Sequence, residues 1–369
     1  MKDICIRKYK GYKIYLHNFS KFDQIFLIKY LSEIGKCKPI IHKGANAIIS
    51  FRFKPNWKKD FSYITFLDSY LMLPSSLKNL SKSFSVDNPK DLFPILFNDI
   101  NYQGLVPDFN YFIGISLEEY NEYKDSFKDK IWNFKEESIK YCILDCISLF
   151  QVLNKFSTLI WDKFKLNIIN YPTLPSLAFA IFRSKYLKFL SIHQISGKIE
   201  RDIRQGYTGG STDMFIPILP KGKKIYVYDV NSLYPFVMKN NQYPVGSPTY
   251  FEGDILKTDS NPFGFFYANI TSPDYLNHPI LQLHYNLRTV SPLGSWSGWY
   301  FSEELKNSLN FGYNFKIIKG YLFEKDYIFD GYVDELYNLR ITYPKTNPLN
   351  YSAKLLLNSL YGRFGAIAE

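Results

Sequence analysis

The spacing of apolar and polar positions changes period along this chain. Short runs rich in β-branched and aromatic residues, at 12–17, 47–53 and 63–67, read as strands. Apolar repeats of three to four residues at 22–34 and at about 135–156 read as helices. Such alternation over residues 1–190 predicts an α/β arrangement. A polar stretch at 191–206 leads into Gly209-Gly210 and a Pro/Gly/Lys run at 217–224, so a first segment, 1–195, is expected to meet a second, 196–369, near there. The second segment opens with an expected strand at 224–229 and closes with an expected helix at about 349–361, stopped by Gly362 and Gly365. Between these, 250–335 is rich in aromatics, Gly and Pro without a clean period, which predicts an irregular insertion.

A length of 369 residues suits about two domains, and an apolar content of 46% excludes a disordered or collagen-like chain. Four scattered cysteines make no disulfide framework, and no Cys/His group has zinc-site spacing. No uninterrupted apolar stretch reaches the roughly 18 to 20 residues of a membrane span, so no membrane partner is expected. The first residues carry no recognisable targeting signal, and the abundance of Lys, Asn, Ile, Phe and Tyr is what an AT-rich organelle genome encodes. The net charge of +11 is unevenly placed: residues 1–60 hold 14 basic and 4 acidic side chains, leaving 31 and 30 in the rest. Aromatics are interleaved with these cations, a mixture that suits phosphates and unstacked bases and also an ordinary solvated face.

Four constellations carry candidate chemistry. At 17–23, His-Asn-Phe-Ser-Lys-Phe-Asp, a strand gives way to a helix that Ser20 can cap. There Asp23 is either a first-turn acid balancing the helix dipole or, with Asn18, a ligand-facing group at a strand exit. Tyr141 and Asp145 share one helix face, where a carboxylate can bind a cation and a phenol can orient water, or both can be plain surface residues. Asp229 closes the expected strand 224–229 and is followed by Ser232, Tyr234 and Pro235, the last suited to a first helical turn. Lys354, Asn358 and Tyr361 form one polar stripe opposite the apolar Ala353, Leu356, Leu357 and Leu360. Such a stripe can hold phosphates and bases, or simply face water.

These spacings, in this order, resemble the family B DNA polymerases, and within them the protein-primed branch of bacteriophages and of linear mitochondrial plasmids. Residues 17–23 resemble the second motif of the 3′→5′ exonuclease, and 141–145 the third. Tyr207-Thr-Gly209-Gly210 is similar to the linker motif that holds DNA, residues 229–235 to polymerase motif A, and 354–362 to motif B. The runs 66–77 and 294–304 also resemble this branch.

The resemblance implies a ribonuclease-H-like α/β exonuclease domain over 1–195, followed over 196–369 by a partial α+β palm with its insertion at about 250–335 and helical fingers. It implies nucleotidyl transfer with Mg2+ or Mn2+, a DNA template and primer, deoxynucleoside triphosphates, a terminal protein as priming partner and a mitochondrial location. By the same resemblance Asp229, with the carbonyl of Val230, binds catalytic metal, and Tyr234 excludes a 2′-hydroxyl. Lys354 holds the triphosphate, while Asn358 and Tyr361 contact the nascent base pair. Asp23 and Asp145 bind exonuclease metals, Tyr141 orients water, and Asn18 and Phe22 hold the single-stranded 3′ end. Tyr207, Gly209, Gly210 and Ser232 join the DNA-binding set.

Two departures accompany it. No Asp-x-Glu precedes Asn18, and no Tyr-x-Asp-Thr-Asp follows Gly362, so the chain reads as the middle of a polymerase. A catalytically silent DNA-binding remnant and a stand-alone exonuclease are the rival readings.

Overall fold

The computed structural model describes residues 1–42, 47–58, 61–87, 92–187, 192–212, 214, 216–286 and 288–366. In chain order the elements are β1 (Lys13–Leu16), α1 (Asp23–Ile34), β2 (Gly35–His42), β3 (Ala47–Pro55), β4 (Ile64–Asp68), α2 (Leu77–Ser83), β5 (Gln103–Gly104), α3 (Leu117–Asp125), β6 (Trp132–Asn133), α4 (Phe134–Phe164), α5 (Leu174–Ile181) and α6 (Gly197–Gln205). There follow α7 (Leu233–Asn240), β7 (Tyr243–Glu252), β8 (Gly264–Thr271), β9 (Leu283–Tyr285), β10 (Arg288–Val290), β11 (Ser295–Phe301), α8 (Ser302–Leu309), β12 (Asn314–Asp326), α9 (Asp330–Thr342) and α10 (Pro348–Phe364).

Two compact units emerge, one of residues 1–185 with 335–365, the other of 186–334 with 366–369. This division differs from two consecutive segments, because α10 packs on α5: the Phe364 ring meets Phe179 and Phe182 at 5.5 and 5.6 Å.

In the first unit a four-stranded sheet has the order β1-β4-β3-β2, with β1 parallel to β4 and the other pairs antiparallel. Alternation along the strands sends Phe51, Phe53, Ile64 and Phe66 to one face, where they pack with Leu31 of α1 and with Phe19. The predicted strands and helix of this region all form. α4 runs further than its predicted range; Asn133 caps it by accepting from the Lys135 and Glu136 amides, and Lys165 ends it in the left-handed region. By length and composition α4 could cross a membrane, with an 18-residue window of mean hydropathy 1.4. That window admits charged residues, so it does not amount to an uninterrupted apolar stretch. Its Val152, Phe156, Ile160 and Phe164 are buried within the unit.

In the second unit residues 250–335 are not irregular. They contribute to a four-stranded antiparallel sheet of order β11-β8-β12-β7, with α8 beside it. The aromatics that blurred the sequence period are cross-strand partners: Trp299 opposes Tyr267, and the Trp299 ring stacks on Tyr321 at 5.5 Å.

Candidate functional site

Strand β1 delivers the chain into a turn before α1. Asn18 takes the left-handed region there, with φ 66°, which Asn tolerates better than most residues. Its amide donates to Asp68 Oδ1 at 2.9 Å, while the amide and hydroxyl of Ser20 donate to Asp68 Oδ2 at 2.8 and 2.6 Å. Ser20 does not cap α1 as expected. Its hydroxyl is taken by Asp68, and Phe22 occupies the cap position without a side-chain bond.

His17 is anchored in the same region, Nδ1 3.0 Å from Ser69 Oγ and Nε2 donating to the Ser75 carbonyl at 2.8 Å. Phe22 is 62% exposed and meets Phe26 edge-on. Asp23 stands in the first turn of α1. Burial, helped by the negative charge of Asp68, raises its carboxyl above the ordinary value, against a lowering backbone hydrogen bond.

On α4, Tyr141 and Asp145 lie one turn apart, both half-buried, with the Tyr141 ring 5.2 Å from Phe93. Around the predicted linker, the Tyr207 carbonyl accepts from His284 Nε2 at 2.9 Å and Ser211 Oγ accepts from Gln282 Nε2 at 2.5 Å. A Cβ added at Gly209 or Gly210 would meet nothing within 4 Å, so this backbone lies open.

The strand expected at 224–229 does not form. Among the described residues no strand pairs with it, and a lone extended segment has no ladder to hold it. Asp229 and Val230 are exposed, as are Val227 and Tyr228, each at 90%. The turn that follows does form: Ser232 (φ 55°) precedes α7, with Pro235 buried in its first turn and Tyr234 exposed.

The α10 stripes match expectation. Lys354, Asn358 and Tyr361 are exposed, and Ala353, Leu356, Leu357 and Leu360 are buried. Asp229 belongs to the second unit and Lys354 to the first. Among the described residues no group of three or more His, Cys, Asp or Glu side chains is arranged to hold a metal ion.

Sequence reasoning gave Asp68 no role beyond its place in the family-like run 66–77, and passed over His284 and Gln282. A signal for Asp68 was present in its place as an acid ending the apolar run of β4, directly before a serine. Nothing local marked Gln282 or His284, which reach residues more than 70 positions earlier.

The model of the DNA polymerases of type B, organellar and viral, matches residues 3–368. The chain belongs to this family. A probable DNA polymerase of Neurospora intermedia is 45% identical over 390 residues, covering 100% of this chain and 40% of the relative. One of Agaricus bitorquis is 30% identical, covering 96% of this chain and 45% of the relative. The DNA polymerase of Bacillus phage Nf is 26% identical over 96% of this chain and 59% of its own length. Among solved structures, Phi29 DNA polymerase complexed with primer-template DNA and incoming nucleotides matches with a TM-score of 0.64 at 22% identity, over 98% of this chain and 61% of that one. The chain thus spans about 40% of its Neurospora relative, and the structural likeness is one of fold.

Proposed function

We propose that this chain carries the exonuclease-like segment and the early polymerase segment of a protein-primed type B DNA polymerase acting on mitochondrial DNA or a mitochondrial plasmid. The observation that carries the reading is α10: its apolar stripe is buried, leaving Lys354, Asn358 and Tyr361 on one exposed line. Lys354 would neutralise the triphosphate as a point charge, with Asn358 and Tyr361 against the base pair and Tyr234 against the sugar. In the exonuclease-like segment Asn18 and Phe22 would grip a single-stranded 3′ end, with Asp23, Tyr141 and Asp145 as the hydrolytic set. Tyr207, Gly209, Gly210 and Ser232 would bind DNA.

The resemblance implies Mg2+ or Mn2+. Two-ion phosphoryl transfer needs carboxylates that hold ions about 4 Å apart. Asp229 and Val230 lie on an exposed segment, and no acid cluster joins them among the described residues. These residues do not fit a two-ion site, so no step is assigned to a metal here. The same observation favours a second reading, in which the chain binds DNA without copying it.

Primer extension run beside DNA binding tests both. Asp229→Ala, in a protein of the relatives' full length, is expected to abolish extension and leave binding largely intact; undiminished synthesis contradicts the assignment. Under the second reading the purified chain binds DNA and neither lengthens nor shortens it.

A further inference from the structure

On the face of the first-unit sheet that does not pack on α1, the β2–β3 side carries a group of cations, while the β1–β4 side holds the half-buried Tyr15 and the buried Leu67. Strand register places Lys13 opposite Thr65, Thr65 opposite Arg52, and Arg52 opposite Lys38, so one row crosses all four strands. Lys36 opposes Lys54 two residues along the same face. Arg52 lies near enough to Lys13 to help lower its pKa, after burial as the larger cause. Lys38 sits over the Tyr63 ring at 5.2 Å. Lys36, Lys38 and Arg52 are exposed, and none of these three or Lys54 forms an ion pair with an acid among the described residues.

Like charges directly opposite one another destabilise a strand pair. Two such pairs, Lys36 with Lys54 and Lys38 with Arg52, stand side by side on the paired strands β2 and β3. Lysines on the edge strand β2 can be explained as protection against edge-to-edge pairing. That explanation does not reach Arg52 and Lys54, which lie on β3, an interior strand flanked by β2 and β4. A polyanion laid across the face would remove the repulsion. Unstacked bases are poorly served, because Tyr15 and Tyr63 are half-buried and Lys38 covers Tyr63, leaving no ring of this face free for stacking among the described residues. A duplex backbone needs only cations.

We propose that this face is a second DNA-binding surface, which takes the sugar-phosphate backbone of duplex DNA on Arg52, Lys38, Lys36 and Lys54, separate from the residues assigned to the 3′ end. It rests on the polymerase reading only for the identity of the polyanion.

The test is binding of a fluorescent mixed-sequence duplex by the whole chain across a salt series. Replacing Arg52 and Lys38 by Gln is expected to weaken binding and to lower the slope of log K against log salt by about 1 for each cation removed. The control pair Lys128→Gln with Lys130→Gln removes equal charge from an exposed loop and is expected to leave the slope unchanged. Binding to an oligonucleotide with a single-stranded 3′ end, sensitive to Asn18→Ala and Phe22→Ala, is expected to survive in the Arg52/Lys38 variant. Without DNA that variant is expected to melt no lower than the parent, since repulsion is relieved.

An unchanged slope, or an equal drop in the control, overturns the proposal, as does loss of binding to phosphatidylserine vesicles with duplex binding intact. If the parent's grip on the 3′ end ignores Asn18 and Phe22, the reading of that site fails and the duplex result stands apart from it.

Discussion

The hydroxyl of Ser20 donates at 2.6 Å to the carboxylate of Asp68, a residue 48 positions later and completely buried. The same carboxylate accepts from the amides of Asn18, Ser20 and Tyr70 at 2.8 to 2.9 Å. A buried charge is tolerated only where its lone pairs are met, and here four donors meet them. The left-handed Asn18 and the register of Phe22 and Asp23 are thereby tied to the end of β4. Asp68→Ala leaves these donors unpaired in a dry site and is expected to cost on the order of 3 kcal/mol in denaturant unfolding. Ser20→Ala removes one bond and is expected to cost about 1 kcal/mol. The double variant should cost less than the sum, because the two changes remove a shared interaction.

Trp132 is fully buried in an aromatic cluster, and its indole N–H donates to the Tyr123 hydroxyl at 2.9 Å. Phe97, Tyr102 and Phe134 hold their rings 6.0 to 6.1 Å from it. Trp132→Ala is expected to destabilise by about 4 kcal/mol, from lost burial plus the cavity left behind. Trp132→Phe should cost about half as much, and Tyr123→Phe added to it should cost little more. Equilibrium unfolding measures all three.

Glu304 carries a pH dependence. Burial raises its carboxyl above the ordinary value of 4.5, against a lowering bond from the Phe301 amide. The folded chain therefore holds this proton more tightly than the unfolded chain. Its stabilising contribution is complete below pH 4.5 and is lost as pH rises through the raised folded value. Glu304→Gln keeps an acceptor for Phe301 and removes the buried charge. The variant should melt above the parent at pH 7, with the difference shrinking as pH falls toward 4.5. A constant difference across that range would contradict the assignment.

Where a local pattern suffices, the chain declares its own structure. Residues 22–34 show an amphipathic period and form α1, and the α10 stripes emerge on the predicted sides because a three-to-four-residue repeat fixes which face can be buried. Residues 224–229 show the limit of that logic. Their composition asks for a strand, but a strand exists only against a partner, and composition does not reveal whether one is at hand. The region 250–335 fails in the opposite sense. With aromatics on both faces of β7, β8, β11 and β12 the two-residue alternation is hidden, and pairing decides. Asp68 escaped because its role depends on Ser20, a contact no sequence window spans.

The linker provides the last test, because its backbone is open yet anchored at two points. His284 Nε2 donates to the Tyr207 carbonyl at 2.9 Å, and its Nδ1 lies 3.4 Å from Thr289 Oγ1. Gln282, two residues before His284 and just ahead of β9, holds Ser211. Gly209 and Gly210 lie between these anchors with free space around them, so the segment depends on its ends for order. Removing one anchor by His284→Ala forfeits a hydrogen bond of about 1 kcal/mol, roughly fivefold in a local opening equilibrium. Amide exchange at Gly209 and Gly210 is expected to quicken by about that factor, with β8 and β12 unaffected. His284→Asn, which can still donate, should recover part of the protection. If Gly209 and Gly210 hold DNA, His284→Ala should also weaken DNA binding by no more than the same factor, because ordering the loop becomes a cost of binding.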